Sequence, residues 1–154
     1  MIQRIQTVYL LLVILLFATM AFLPFAHFEL GGELAAFSNF VFSFENAELF
    51  PSRPSVAWGG VFFTLVNIVY ALRIIFDYNN RRRQARGCTF LLLFTVLLWA
   101  TMATYSAVFM FKSGASLMPS YAVAMPFMAL IFIALAKKAI LSDERLVRSA
   151  ERLR

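Results

Sequence analysis

Charged residues are absent from four long stretches of this 154-residue chain, and that absence excludes an ordinary water-soluble domain. A helix at the surface of a soluble protein carries charges every turn or two, because one of its faces meets water. About 20 apolar residues cross the hydrocarbon core of a bilayer as a helix, and each stretch is about that long or longer. The pattern predicts an integral membrane protein. The uncharged stretches are residues 5–28, 54–72, 87–111 and 113–136.

Residues that commonly carry chemistry are also scarce. The single cysteine, Cys88, excludes an intramolecular disulfide and a cysteine-rich metal site. The single histidine, His27, lies at the end of the first stretch, where we expect an interfacial hydrogen-bonding role rather than metal ligation. No Asp, Glu or Lys lies within the predicted spans, although intramembrane chemistry depends on such ionisable groups. We therefore predict no catalytic residue, no metal site and no cofactor, and hence no enzyme.

The fold class that follows is an all-α integral membrane protein, a bundle of four transmembrane helices. With 62% hydrophobic residues, the spans and their connections use almost the whole chain, which makes residues 1–154 a single membrane domain. The first apolar run is too long for the core of a secretory signal peptide, so we expect it to remain as a span. Spans are expected at about residues 7–25, 56–76, 88–111 and 117–136, with an outer loop at 26–53, a basic inner loop at 77–87 and a cytoplasmic tail at 137–154.

Basic residues predict the orientation. Four spans place both termini on one side, and loops rich in Lys and Arg stay in the cytoplasm. With cytoplasmic termini, 12 of the 14 basic residues lie inside and only Arg53 and Lys112 lie outside. The inner residues are Arg4, Arg73, Arg81, Arg82, Arg83, Arg86, Lys137, Lys138, Arg145, Arg148, Arg152 and Arg154.

The lipid bilayer is the first expected partner of this basic side. Each charge near an anionic membrane surface contributes about 1 kcal/mol of attraction. The net charge of +6 does not predict a nucleic-acid partner, because the basic residues flank hydrophobic spans instead of covering a soluble surface. The residues expected to contact anionic headgroups are Arg81, Arg82, Arg83, Arg86, Lys137 and Lys138.

The outer loop carries two strand signals. Gly31 and Gly32 lie between residues 28–30 and 33–35, and a Gly-Gly pair between such segments favours a two-residue β-hairpin. Phe40, Phe42 and Phe44 then recur with the period of two that places side chains on one face of a strand. These signals predict a small β-hairpin or sheet, and the alternative is an irregular aromatic-rich loop among the lipid headgroups.

A row of small and polar residues marks one face of the second span. Such residues let a neighbouring helix approach closely, and a buried Asn can hydrogen-bond across the contact. The alternative is that Asn67 lines a path for a solute, together with a kink that Pro126 is expected to introduce within the fourth span. The residues predicted to pack the helices are Gly60, Thr64, Asn67 and Ala71.

The tail repeats Glu-Arg-Leu at residues 144–146 and 151–153. This repeat predicts an amphipathic cytoplasmic helix that is separate from the fourth span and is capped by Ser142 or Asp143. Its apolar stripe suits either of two surfaces, the inner leaflet or a protein partner. The residues predicted to dock a cytoplasmic or membrane-complex protein are Leu146, Ala150 and Leu153.

Both ends of the chain, residues 1–10 (MIQRIQTVYL) and 143–154 (DERLVRSAERLR), resemble a bacterial family of small four-helix inner-membrane proteins named as a domain of unknown function, DUF4293. The resemblance covers the chain end to end, although Glu151 stands where that family leads us to expect Asp. It implies a multi-pass protein of the bacterial inner (cytoplasmic) membrane and brings no site residues with it.

Two functional hypotheses follow from these features. The first is a non-enzymatic scaffold or accessory subunit of a membrane complex, which uses its C-terminal helix to bind a partner. The second is a small transporter or lipid-handling protein with a cavity near Asn67 and Pro126. Both leave the oligomeric state open.

Overall fold

Four α-helices and a four-stranded antiparallel sheet form the protein in a computed structural model that describes residues 5–30, 33–38, 42–44, 57–77 and 80–152. The helices are α1 (Ile5–Phe22), α2 (Trp58–Phe76), α3 (Arg81–Ser113) and α4 (Met125–Arg152). The strands are β1 (Pro24–Leu30), β2 (Glu33–Ser38), β3 (Phe42–Phe44) and β4 (Ser116–Pro119), and a short 3-10 helix covers Tyr121–Ala124.

All four helices are long and apolar enough to cross a membrane, which confirms the predicted helix number and type. Only 28–33% of the residues in their most apolar segments are buried inside the protein. The outward-facing remainder is also apolar: Phe62, Leu65 and Val69 on α2 are each more than half exposed. A soluble protein would keep such a continuous apolar surface out of water, whereas a bilayer requires it.

The helices pack in a ring, each against its neighbours in sequence, and α4 closes the ring on α1. Buried side chains recur at helical spacing on the inward faces, for example Leu10, Val13 and Phe17 on α1. The ring has two distinct ends. The sheet end carries the strands, with the C-termini of α1 and α3. The basic end carries the connection between α2 and α3, with the later part of α4.

The sheet has the order β3-β2-β1-β4 and confirms the predicted small sheet. Strands β1 and β2 pair antiparallel up to Leu30 and Glu33, so the hairpin forms where the glycine pair predicted it, although residues 31 and 32 themselves lie outside the described residues. Strand β3 covers Phe42 and Phe44, but the expected common face of the three phenyl rings rests on side chains outside the described part.

The start of the fourth predicted span differs from the expectation. Residues 116–119 form β4, which pairs with β1 from Glu29↔Ser116 to Ala26↔Pro119. Helix α3 ends in a left-handed cap at Gly114, where φ is 68°, and this turn directs the chain back towards β1. As a result Pro126 is the second residue of α4, where a missing N–H costs little. It therefore lies at the start of α4, directly after the 3-10 turn, and does not kink the middle of an α-helix.

The first helix also ends earlier than expected. It ends at Phe22, whereas the span was predicted to continue to residue 25. Pro24 begins β1, and the ladder partners in β2 and β4 draw the following residues into the sheet.

At the basic end, two segments that were expected to be non-helical connections are helical: part of the inner loop, and the junction between the fourth span and the tail. Helix α3 begins at Arg81, so the arginine-rich part of the predicted inner loop forms its first turns. Asn80 caps this helix, because its side chain accepts a hydrogen bond from the Arg83 backbone N–H at 3.1 Å. Helix α4 continues to Arg152 without a break at Ser142 or Asp143, so the tail is the end of the fourth helix and not a separate one.

Candidate functional site

The predicted packing row of α2 lies inside the bundle. Gly60, Thr64, Asn67 and Ala71 are all buried. The Asn67 side-chain amide donates to the Phe63 carbonyl at 2.8 Å, and its oxygen lies 3.0 Å from the Thr95 hydroxyl on α3. Both the nitrogen and the oxygen of this fully buried amide therefore have partners, which is the arrangement of a helix-packing contact.

A second feature lies at the sheet end, where α3 and the sheet leave an apolar cavity of about 220 Å³ between them. Small residues on α3, Ala103 and Ala107, provide the room. Leu117 and Pro119 on β4 are exposed, so the cavity reaches the protein surface at this strand. The lining residues are Phe25, Ala26, Trp99, Ala103, Ser106, Ala107, Met110, Leu117, Pro119 and Val123.

Two polar atoms in the cavity wall lack partners. The Ser106 hydroxyl belongs to a side chain that is 4% exposed, and the Trp99 indole N–H is equally shielded from solvent. Among the side chains that the structure describes, neither atom has a hydrogen-bond partner. A buried hydrogen-bonding group left unpaired costs about 1–3 kcal/mol. Both atoms are shielded from the cavity, whose surface is apolar, so a ligand oxygen would pair with them only after the two side chains turn towards it.

The two donors lie on one face of α3. Seven residues separate them, so their Cα atoms are roughly 10 Å apart along the helix axis. They are therefore arranged along an elongated space and would contact different parts of a ligand. From Trp99 to Met110 the wall follows α3 for about 16 Å, which is close to half of the roughly 30 Å hydrocarbon thickness of a bilayer.

Aromatic contacts hold the walls in place. Trp99 packs edge-on against Phe127 of α4, with ring centres 5.2 Å apart. The sheet rests on α3 through Phe28 and Phe109, whose ring centres are 4.7 Å apart. Rigid rings in contact on both sides keep the space from collapsing, because their rotamers are restricted by close packing.

The basic end has a different chemistry. The Arg83 guanidinium donates to both carboxylate oxygens of Asp77, one of them at 2.6 Å. This hydrogen bonding, together with the charges of Arg83 and Arg73, holds the pKa of Asp77 below its usual range. Asp77 and the Asn80 cap therefore fix the turn from α2 into α3.

Two further arginines join α3 to α4. The Arg82 guanidinium donates to the Glu144 carboxylate at 2.8 Å, and Arg81 donates to the Asp143 main-chain carbonyl at 2.8 Å. Three of the six residues predicted to contact lipid headgroups, Arg81, Arg82 and Arg83, thus also make contacts within the protein.

The remaining predicted site residues lie apart from these contacts. Arg86 and Lys138 are exposed and Lys137 is half-buried. In the predicted docking stripe, Leu146 is 66% exposed, whereas the side chain of Ala150 and all of Leu153 lie outside the described residues.

Sequence reasoning missed the cavity and its two donors. A signal was present: a tryptophan in the middle of a span, with Ala103, Ser106 and Ala107 on the same side of the helix. The signal was incomplete because the opposite wall comes from β1 and β4. Neither Asn67 nor Pro126, near which a cavity was expected, lines this one.

Within the described ranges, no three His, Cys, Asp or Glu residues lie together as metal ligands. No curated protein and no solved structure matches the chain. A family model does: the one described as Domain of unknown function (DUF4293) matches residues 2–153, which includes all four helices and the sheet. The chain therefore belongs to this family, as the resemblance of its two ends indicated.

Proposed function

We propose that this protein is a multi-pass protein of the bacterial inner membrane that holds a lipid-like molecule in the cavity at its sheet end, without catalysing a reaction. The observation that carries the proposal is an apolar cavity whose lining residues Ser106 and Trp99 carry donors without partners among the described residues. A ligand with a long apolar part and a carbonyl or hydroxyl oxygen satisfies both features at once.

The distribution of basic residues supports the orientation of this site. Arginines 81–83 and 86 and lysines 137 and 138 are at the basic end, which we therefore assign to the cytoplasm. The sheet end, where Glu29 lies, is then on the side of the membrane opposite the cytoplasm. In this orientation the cavity lies at the depth of the outer leaflet and can receive its ligand from the surrounding lipid.

The size of the cavity limits the ligand. Pockets that enclose a whole drug-sized molecule have volumes of roughly 300–1,000 Å³. A cavity of about 220 Å³ accommodates only part of a lipid, such as one acyl chain. The rest of the molecule then lies at the exposed mouth beside Leu117. An ester carbonyl near Ser106 would accept a hydrogen bond from its hydroxyl group, which has no acceptor among the described residues.

The scaffold hypothesis remains a second candidate because of α4. This helix continues to Arg152 and carries the exposed Leu146 beyond the bundle, which suits a protein partner at the basic end. The transporter version of the second hypothesis has less support. Its two key residues are a hydrogen-bonded Asn67 and a helix-starting Pro126, and neither adjoins the cavity.

A pair of matched variants tests the lipid proposal. Ala103→Phe places a ring inside the cavity, whereas Ala100→Phe places the same ring on the exposed face of the same helix. Each protein is purified in mild detergent, and the lipid that remains is extracted and measured by mass spectrometry. We expect wild type and Ala100→Phe to keep one class of lipid in a fixed ratio to protein, and Ala103→Phe to lose most of it.

A second measurement avoids any change in cavity volume. Ser106→Ala removes one donor, and the lost hydrogen bond should weaken binding by about 2–10-fold. Binding is read from the quenching of Trp99 by a brominated fatty acid, in a Trp58→Phe background that leaves one tryptophan. Equal lipid retention in all variants, together with unsaturable quenching, contradicts the proposal. Loss of a stoichiometric protein on truncation after Lys138 would instead favour the scaffold.

A further inference from the structure

We infer that a second lipid site lies at the basic end: a groove between α3 and α4 that binds the phosphate of an anionic phospholipid from the adjacent leaflet. It is separate from the cavity of the proposed function and does not depend on it. The groove has a volume of about 530 Å³ and is lined by Leu92, Ala134, Lys137, Lys138, Leu141, Ser142 and Arg145.

The lining of the groove begins apolar and becomes charged along α4, with Leu141 between the two lysines and Arg145. Ala134 and, from α3, Leu92 form the part of the groove nearest the bundle centre, and both are apolar. Lys137 and Lys138 follow one turn later, and Arg145 two turns after them, which spreads these residues over about 16 Å of helix. An acyl chain can therefore lie on the apolar part while its phosphate lies between the cations.

The three cations are not neutralised within the described part of the protein. The ion pairs found there join Arg82 to Glu144 and Arg83 to Asp77. Neither Asp143 nor Glu144, the carboxylates adjacent to the groove in sequence, lines it. Among the described residues the groove thus has three positive charges and no lining carboxylate, and the Ser142 hydroxyl adds a donor for the phosphate oxygens.

The same arrangement distinguishes a phospholipid from other anions. A free phosphate would satisfy the cations but would leave Leu92, Ala134 and Leu141 uncovered. A neutral or zwitterionic lipid would cover those residues but would bring no net negative charge to Lys137, Lys138 and Arg145. An anionic phospholipid does both, and the bilayer supplies it at the depth where the apolar part of α4 gives way to its charged part.

The test compares lipids and matched double variants. Wild-type protein is placed in nanodiscs that contain phosphatidylglycerol and phosphatidylcholine with identical acyl chains, and the lipid that remains bound after mild detergent is quantified by native mass spectrometry. We expect preferential retention of phosphatidylglycerol. Lys138→Gln with Arg145→Gln should reduce that preference at least tenfold, since each cation contributes roughly fivefold.

The control removes the same charge outside the groove. Arg73→Gln with Lys112→Gln changes two exposed basic residues that do not line the groove, and it should leave the preference within about twofold of wild type. Because all four residues are exposed, unchanged thermal melting should accompany both double variants. An equal reduction in both, or no preference in the wild type, overturns the proposal. So does full displacement of the lipid by inorganic phosphate, which would indicate a small-anion site.

Discussion

The two ends of the helix ring are closed by different kinds of interaction. At the sheet end, main-chain hydrogen bonds of β1 and β4 lie over α3. The closure leaves a cavity lined by Trp99 and Ser106, whose donors have no partner among the described residues. At the basic end, side chains close the ring through ion pairs and a capped helix start. A ladder fixes the backbone regardless of its side chains, so the sheet end can keep a space that a side-chain network would fill.

The largest expected effect is a steric one at the sheet end. A Cβ at Gly59 would lie 2.7 Å from Thr101 Cγ2 on α3, too close for two carbon atoms. Thr101 is β-branched and has little freedom to move aside. We expect Gly59→Ala to lower the free energy of unfolding by about 1–3 kcal/mol, the usual cost of overpacking, as measured by thermal or denaturant unfolding in detergent.

A glycine at the basic end provides the matched control. At Gly87 the new Cβ would lie 3.0 Å from Ile74 Cγ1, which is a longer contact than the 2.7 Å at Gly59, so Gly87→Ala should cost less than Gly59→Ala. Adding Thr101→Ala to Gly59→Ala removes the clashing methyl group and should restore part of the loss. If both glycine variants lose the same free energy of unfolding, the inference that α2 and α3 approach each other more closely at the sheet end is contradicted.

The sequence predicted those parts of the fold that depend on local composition. Apolar runs of sufficient length are helices, and the pair Gly31-Gly32 lies between two strands that form a hairpin. Strand β4 could not be predicted in this way. Ser116–Pro119 has no alternating pattern, and it is extended because its partner β1, almost 90 residues earlier in the chain, offers a free ladder edge.

In the candidate site, too, features that depend on one helix were predictable and features that depend on a distant part of the chain were not. Burial of Asn67 in a helix contact follows from its spacing with Gly60 and Thr64, which is a property of one helix. The cavity depends on what faces Trp99 and Ser106 from another part of the chain, and no local pattern specifies an empty space. The uninterrupted α4 was also missed, because Ser142 and Asp143 can cap a new helix but equally can continue an existing one.

A second prediction compares the stability changes caused by two substitutions that remove or weaken a polar interaction, one at each end of the ring. Ser106→Ala removes a buried hydroxyl without a partner among the described residues, so we expect the ligand-free protein to keep or gain up to about 1 kcal/mol of stability. Glu144→Gln weakens the ion pair with Arg82, whose side chain is 65% exposed, and should lose at most about 1 kcal/mol. Melting temperatures of delipidated protein measure both. A clear loss with Ser106→Ala would mean that the hydroxyl has a partner after all.

The smallest effect is a dependence on pH at the basic end, and it follows from the lowered pKa of Asp77. At neutral pH this carboxylate is ionised in the folded and the unfolded chain, and its hydrogen bonds with Arg83 contribute fully to stability. Below about pH 4 the unfolded chain takes up a proton at Asp77 more readily than the folded one does. The contribution is therefore present above that pH and is lost as the pH falls through the lowered pKa of the folded state.

The substitution Asp77→Asn removes the contribution of the ionised Asp77 carboxylate to stability. Because Asp77 and Arg83 are at the protein surface, the change in melting temperature on acidification should be only slightly smaller in Asp77→Asn than in wild type. Asp143→Asn is the matched control: it removes the same charge from the same end, but the contact with Arg81 uses the main-chain carbonyl, which remains. It should follow the wild-type curve. An identical acid response of all three proteins would show that Asp77 does not help to close the basic end, and that the Asn80 cap and the α3–α4 contacts are sufficient for it.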